Sequence, residues 1–104
     1  MTVNKYDIYI GSKHSDTSDT AEELSVIQRC ICEYMSETES GFSVTHQTGG
    51  YLHSNGAFIV EDSILISITG TDDKTVKKLA KRLKRQFCQE SVLVVKTKSE
   101  TRYA

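Results

Sequence analysis

The dipeptide Asn55-Gly56 is the strongest constraint on the fold, because it stands between two stretches rich in apolar and β-branched residues. A type I′ turn requires positive φ at both central residues, and Asn-Gly is a pair that readily supplies them. The pattern therefore predicts a long β-hairpin over residues 42–68, with Asn55 and Gly56 as a two-residue turn.

The register of this hairpin predicts a β-bulge. Direct pairing from a two-residue turn sets apolar side chains of one strand beside polar side chains of the other, because a shift of one residue moves every side chain to the opposite face. One extra residue in the first strand corrects the mismatch. Gly49-Gly50 is where a bulge costs least, since glycine tolerates unusual dihedral angles. The corrected register pairs Phe42 with Ile68, Val44 with Ile66 and His46 with Ile64.

The remaining periodicities complete a β-α-β-β-α-β order. Residues 6–10 and 91–97 have the composition of strands, and residues 21–37 and 74–86 carry apolar side chains at helical spacing. This order is typical of the ferredoxin-like fold, in the α+β class. Right-handed crossovers then place both helices on one face of a four-stranded antiparallel sheet with strand order 4-1-3-2. The length favours a single domain over residues 1–104.

Composition argues against several classes of protein. The net charge is −1, and the sequence holds no apolar run long enough to span a membrane, so no membrane partner is expected. The first residues lack an apolar leader, which favours a cytoplasmic location. Three cysteines, an odd number, make a poor disulfide framework, and we expect them to be core or half-buried thiols.

Signatures of catalysis and metal binding are weak. The sequence contains no P-loop, GxSxG or HExxH motif. His46 and His53 share the hairpin, but a zinc site would need two further ligands of good geometry. The sequence therefore predicts no catalytic residue, no metal and no cofactor, and a binding protein rather than an enzyme. A small enzyme such as a phosphoesterase remains an alternative.

The second helix is strongly basic. Seven of the thirteen Lys and Arg residues lie in the segment 74–85. Such a stripe could follow a phosphate backbone, but the chain is not basic overall and the helix has no interleaved aromatic residue. The first helix carries the opposite charge, which is typical of a surface laced with salt bridges. We therefore do not expect a nucleic-acid partner, and whether the basic helix is functional stays open.

The sheet face away from the helices is predicted to be partly apolar. Because monomers seldom leave large apolar patches in water, we expect self-association as a dimer or tetramer through this face or the hairpin. A monomer with a solvated sheet is the alternative. The predicted open face shows Tyr9, Thr45, Gln47, Leu65 and Ser67, with either Val92 and Val94 or Leu93 and Val95.

Features that suit ligand binding are clearer than catalytic ones. Tyr9, Tyr51 and Phe58 offer flat rings on which a base can stack. Residues 48–50 offer backbone N–H groups, and the glycines there let a ligand approach closely. The side chains that could meet a ligand phosphate are Lys13, His14 and Arg102.

Four segments carry a resemblance to known proteins. They read YDIYIGS, GFSVTHQTGGYL, VEDSILISI and QFCQESVLVV. This pattern resembles a group of small phage and bacterial ferredoxin-like proteins. Within that group it is similar to the phage sponge proteins that sequester cyclic nucleotides and so counter cyclic-oligonucleotide-based anti-phage signalling. The resemblance implies a non-catalytic homo-oligomer in the cytoplasm of an infected bacterial host, binding a cyclic dinucleotide at subunit interfaces.

The resemblance also implies roles for individual residues. Tyr51 would stack on a base, and Glu61 would accept a hydrogen bond from a guanine edge. The hairpin has no arginine, so other elements or backbone N–H groups must meet the phosphates. An alternative function is a protein-binding inhibitor of a host factor that acts through the sheet face or the basic helix. The implied ligand-binding set is Tyr9, Lys13, His14, Gln47, Thr48, Gly50, Tyr51, Glu61 and Arg102.

Overall fold

A single antiparallel sheet organises the molecule. The computed structural model describes residues 1–11, 21–37, 41–52, 54–87, 89 and 92–102. The strands lie in the order β2-β3-β1-β4, which is 4-1-3-2 read from the opposite edge, so the predicted ferredoxin-like α+β fold is confirmed. The elements are β1 (Thr2–Gly11), α1 (Ala21–Met35), β2 (Gly41–Leu52), β3 (Phe58–Thr69), α2 (Asp73–Gln86) and β4 (Leu93–Glu100).

The ends of the elements follow from their partners. β1 begins at Thr2 rather than at residue 6, because it pairs with β4 from Thr2 opposite Glu100 to Tyr9 opposite Leu93. The same pairing extends β4 to Glu100, beyond the predicted end at residue 97. α1 ends at Met35, two residues before its predicted end.

The hairpin register is partly as predicted. Phe42 pairs with Ile68, Val44 with Ile66 and His46 with Ile64, as expected. The predicted bulge at Gly49-Gly50 is wrong, because the same register continues without interruption to Leu52 opposite Phe58.

A longer turn, and not a bulge in β2, accommodates the register of the hairpin. Leu52 and Phe58 are the last described pair, and the register that they share with the rest of the hairpin does not fit a two-residue turn at Asn55-Gly56, so that prediction is wrong. Gly56 has φ +89°, which an L side chain rarely adopts. The Ala57 N–H donates to Asn55 Oδ1 at 2.9 Å, so the asparagine side chain closes the turn locally.

The core lies between the helices and one face of the sheet. Alternate residues of the two central strands, β1 and β3, are buried against the apolar stripes of α1 and α2. On α2 the stripe comprises Val76, Leu79 and Leu83, as its spacing predicts. The buried core side chains are Tyr6, Ile8, Ile10, Ile27, Ile31, Met35, Ile64, Ile66, Ile68, Val76, Leu79, Leu83 and Phe87.

The start of α2 and the exposure of the cysteines are two local details of the fold. Asp72 caps α2, since its Oδ1 accepts a hydrogen bond of 2.8 Å from the Thr75 N–H. The cysteines are only partly as expected: Cys30 is half-buried, but Cys32 is exposed, because it lies on a face of α1 that does not meet the sheet. Cys88 lies outside the described residues. No helix in the described part of the chain is long and apolar enough to cross a membrane.

Candidate functional site

The far end of the β2–β3 hairpin projects beyond the rest of the sheet. Within the described ranges, β1 pairs with β3 as far as Gly11 opposite Ser63, and the outer part of the hairpin over residues 48–62 is held by pairing of residues 48–52 with residues 58–62. We call this segment the hairpin arm. Leu52, Phe58 and Val60 are 70%, 69% and 55% exposed there. A two-stranded hairpin with exposed apolar side chains is marginal in water, so the arm is a candidate surface for contact with another molecule.

Alternation along the strands divides the predicted ligand-binding residues between the two faces. Even-numbered positions of β3 continue the helix-facing side, because Ile64, Ile66 and Ile68 are buried there. Thr48 and Gly50 belong to this side of the arm by register. The positions that share the open side are Tyr9, Gln47, Tyr51 and Glu61.

Polar contacts hold the base of the arm. His46 Nε2 lies 2.5 Å from Gln28 Oε1, which ties β2 to α1. One step further out, Thr48 Oγ1 donates to Asp62 Oδ1 at 2.8 Å across the two strands. Asp62 therefore presents a carboxylate on the helix-facing side of the arm, beside the exposed apolar side chains.

The open face of the sheet is a mixed surface around Tyr9. Tyr9 is half-buried between its register neighbours Leu65 and Leu93. Leu93 is 61% exposed and Val95 39% exposed, whereas Val92 and Val94 pack towards the core, which settles the predicted choice between the two pairs. Near one end of this face, Ser67 Oγ donates to Asp7 Oδ1 at 2.6 Å. The face thus combines an aromatic ring, aliphatic side chains and a carboxylate.

The structure does not bring all of the predicted phosphate contacts to this face. Arg102 follows Thr101, whose N–H donates to the Met1 carbonyl at 2.9 Å. Tyr9 lies eight residues further along β1, which at ~3.3 Å per residue is a separation of about 26 Å. Arg102 is therefore at the opposite end of the sheet from the arm of the same chain. Lys13 and His14 lie outside the described residues.

A groove between α2 and β4 was not anticipated from the sequence. It has a volume of about 420 Å³, within the range of roughly 300–1,000 Å³ typical of small-molecule pockets. Val76 and Ala80 of α2 form its floor with Val92 and Val94 beside them. We call it the α2–β4 groove. Its rim carries Lys77, Lys81, Lys84 and Lys96.

A polar cluster closes one end of this groove. The Tyr6 hydroxyl donates to Asp73 Oδ1, and Lys96 Nζ lies 2.9 Å from the same oxygen. The hydrogen bond to Asp73 raises the pKa of Tyr6 above its ordinary value, and the hydrogen bonds from Tyr6 and Lys96 lower the pKa of Asp73. The hydrogen bond to Asp73 likewise raises the pKa of Lys96.

The sequence holds one signal for this cluster. Tyr6 pairs with Lys96 across β1 and β4, so the order of the strands and the register of this pair bring the two together. The position of Asp73 at the start of α2 completes the cluster, but this depends on how the helix crosses the sheet. Among the residues that the structure describes, no group of three or more His, Cys, Asp or Glu side chains could hold a metal ion.

Comparison with known families identifies the chain's relatives. The family described as Protein of unknown function (DUF3574) matches residues 5–103, and the chain belongs to this family. No curated protein matches the sequence.

Two solved structures share the fold. A phage SAM lyase in complex with S-methyl-5′-thioadenosine is 25% identical, with a TM-score of 0.61, over 91% of this chain and 80% of that chain. A phage SAM lyase in the apo state is 22% identical, with a TM-score of 0.61, over 93% of this chain and 81% of that chain.

Proposed function

We propose that this member of the DUF3574 family binds S-adenosylmethionine on the open face of its sheet and cleaves it to S-methyl-5′-thioadenosine during phage infection. The observation that carries the proposal is the similarity, at 25% identity over 91% of the chain, to a phage SAM lyase bound to S-methyl-5′-thioadenosine. The open face is chosen for the chemistry of its residues, and these residues must be tested in this chain.

The chemistry of a sulfonium suits a site with few catalytic groups. When the carbon–sulfur bond breaks, the sulfur keeps the electron pair and leaves as a neutral thioether. The carboxylate of the aminobutyrate chain forms a new carbon–oxygen bond to the same carbon as the sulfur leaves, which closes a lactone without a proton transfer. This route needs no covalent nucleophile, base or metal from the protein. Orientation of the substrate and exclusion of water are the contributions required of the chain.

Residues of the open face have the chemistry to supply orientation. The ring of Tyr9 offers a surface for adenine or, through its negative face, for the sulfonium cation. The amide of Gln47 is exposed on the same side, where it can hydrogen-bond a base edge or ribose. Tyr51 and Glu61 occupy positions of the same side further out on the arm. A carboxylate at position 61 would favour a cationic substrate.

Sequestration of a cyclic dinucleotide is the second candidate, supported by the resemblance of the sequence segments to the sponge proteins. A sponge and a lyase share the need for purine stacking on an open, aromatic surface. They differ in whether the bound ligand is cleaved. Removal of either small molecule would serve a phage against its host, so the two candidates share the same biological role. Inhibition of a host protein is the third possibility, and it predicts indifference to every nucleotide.

One experiment separates the candidates. The purified protein is incubated with S-adenosylmethionine, and in parallel with a panel of cyclic di- and trinucleotides, while its melting temperature is followed. A ligand that binds only the folded state raises that temperature. Chromatography and mass spectrometry of the mixture then show whether the ligand is intact. Appearance of S-methyl-5′-thioadenosine supports the lyase, and a stabilising but intact cyclic nucleotide supports the sponge. No shift and no product would overturn both.

Variants of Tyr51 test whether the arm takes part. Tyr51→Phe keeps the ring and should retain binding, whereas Tyr51→Ala removes it and should weaken binding by about 1–3 kcal/mol if a base stacks there. Tyr34→Phe is a matched control, because Tyr34 lies on α1 under the guanidinium of Arg82, 4.0 Å from the ring centre. Equal affinity in Tyr51→Ala and the wild type would exclude Tyr51 from the site.

A further inference from the structure

Two surfaces of the molecule have no partner in the described part of the chain. The first is the helix-facing side of the hairpin arm, where Leu52 lies opposite Phe58 and Gly50 opposite Val60. These positions continue the side of β3 on which Ile64 is fully buried, but no described element covers them. The arm therefore extends the core face of the sheet into solvent. Burial of the three apolar side chains in another molecule would remove that exposure.

The second surface is the α2–β4 groove. Its floor is apolar, formed by Val76, Ala80, Val92 and Val94, and it opens to solvent beside the edge strand β4. Its volume of about 420 Å³ can accept bulky apolar side chains. Three exposed lysines of α2 border it: Lys77, Lys81 and Lys84.

Charge makes the two surfaces complementary. Residues 41–73 contain no lysine or arginine, and the arm carries Glu61 and Asp62. The Asp62 side chain is exposed on the same side as Phe58 and Val60. An apolar ridge with one carboxylate, that of Asp62, on the same side thus matches an apolar groove with a basic rim.

The two surfaces cannot meet within one chain. The arm extends from β2 and β3, and β1 lies between these strands and β4, which borders the groove. We infer that the hairpin arm of one copy docks in the α2–β4 groove of a second copy, with Phe58 and Val60 on the apolar floor and Asp62 near the lysines. Because different surfaces of the two copies meet, the contact is head-to-tail, and repeated contacts close a ring or extend a chain of copies.

Complementary variants test this inference directly. Phe58→Asp disables the arm and leaves the groove intact, whereas Ala80→Glu fills the groove and leaves the arm intact. Phe58 is 69% exposed, so its replacement should leave the fold unchanged. By sedimentation we expect the wild type to be an oligomer and each variant to be a monomer. An equimolar mixture should form a one-to-one dimer, because one intact arm and one intact groove remain.

A control on the other face separates this contact from association through the open sheet. Leu93→Asp alters that face, where Leu93 is 61% exposed, and should sediment like the wild type. Far-UV circular dichroism and melting temperature verify that each variant is folded. The inference would be overturned by a monomeric wild type or by a mixture that stays monomeric. It would also be overturned if the folded Phe58→Asp variant assembled to the same extent as the wild type. Assembly does not depend on the ligand proposed above, so it can be judged even if no nucleotide binds.

Discussion

At the scale of single residues, Gly70 is the glycine on which the junction between β3 and α2 depends. Its φ is +80°, in the region that L side chains rarely adopt. We expect Gly70→Ala to lower the free energy of unfolding by about 1–2 kcal/mol, because alanine must strain its backbone there. Urea denaturation measures the difference.

Gly41 provides the matched control for this prediction. It lies opposite Thr69, next to Gly70 in space, and an added Cβ would meet no atom within 4 Å at either glycine. Gly41→Ala should therefore stay within about 0.5 kcal/mol of the wild type. Equal losses in the two variants would show that backbone conformation is not what distinguishes Gly70.

Two carboxylates at the start of α2 make stability depend on pH. The hydrogen bond from the Thr75 backbone lowers the pKa of Asp72, and the hydrogen bonds from Tyr6 and Lys96 lower the pKa of Asp73. A lowered folded-state pKa adds stability above the unfolded value of about 3.9, and this stability is lost as the pH falls through the folded pKa. We expect Asp73→Asn to lose less stability than the wild type on acidification.

Thermal unfolding at about pH 6 and about pH 3 measures this difference, because those values lie on either side of the unfolded-state pKa of about 3.9, below which the stabilisation begins to be lost. Glu100→Gln is the control, since Glu100 is an exposed carboxylate at the far end of β4. An Asp73→Asn variant that loses as much stability as the wild type between the two pH values would contradict the prediction.

Local chemistry explains which residues could be predicted. The cap at Asp72 and the apolar stripe of α2 follow from side chains a few positions apart, so sequence alone reveals them. The Tyr6–Asp73–Lys96 cluster was not predicted, because its three residues belong to elements that are far apart in the sequence. The prediction of a bulge at Gly49-Gly50 was wrong for a different reason. The glycines there permit a bulge and Gly56 permits a longer turn, so the residue types do not decide between the two.

At the scale of elements, the hairpin divides into an inner half and an outer half. Residues 63–69 of β3 lie between two strands, whereas residues 58–62 pair only with β2 among the strands that the structure describes. A two-stranded ribbon opens at low free energy, while central strands open only with the whole domain. In the monomeric variant Phe58→Asp, we expect amides 58–62 to exchange with solvent much faster than amides 64–68.

Hydrogen exchange with mass spectrometry measures this contrast. The same measurement on the wild type tests whether assembly protects the arm. If the arm docks in a second copy, amides 58–62 should be protected in the assembled wild type and lose that protection in Phe58→Asp. Amides 64–68 are the internal control, since their strand is central in both states. Equal exchange of the arm in the two proteins would contradict a docked arm.

Element boundaries were less predictable than element types, and the reason is pairing. The alternation of residues 6–10 predicted a strand, but its start at Thr2 depends on β4, whose polar end at residues 98–100 has no apolar signal. The strand order was predictable because right-handed crossovers leave few arrangements for two βαβ units. Ligand chemistry was not, since a ferredoxin-like fold serves many unrelated functions.

At the scale of the whole molecule, charge is segregated rather than mixed. The chain has a net charge of −1, yet seven basic residues lie on α2 and none lies in residues 41–73. If the arm docks as inferred, the basic groove of one copy attracts the acidic arm of the next. This distribution predicts that assembly weakens as salt is added, because exposed charges are screened beyond a Debye length of about 10 Å at 0.1 M.

Charge reversal makes that prediction specific to the arm and the groove. The double variant Lys81→Glu, Lys84→Glu should assemble more weakly than the wild type, because its groove repels Asp62 of the neighbouring copy. Each exposed pair contributes only about 0.2–1 kcal/mol, so the expected loss is severalfold in affinity. Adding Asp62→Lys to the double variant should restore part of the affinity, since it recreates opposite charges.

Lys74→Glu with Lys78→Glu is the matched control, which reverses two lysines of α2 outside the α2–β4 groove. Sedimentation of all four proteins over a salt series gives the comparison, and a loss as large in the control would assign the effect to net charge instead of the docked arm.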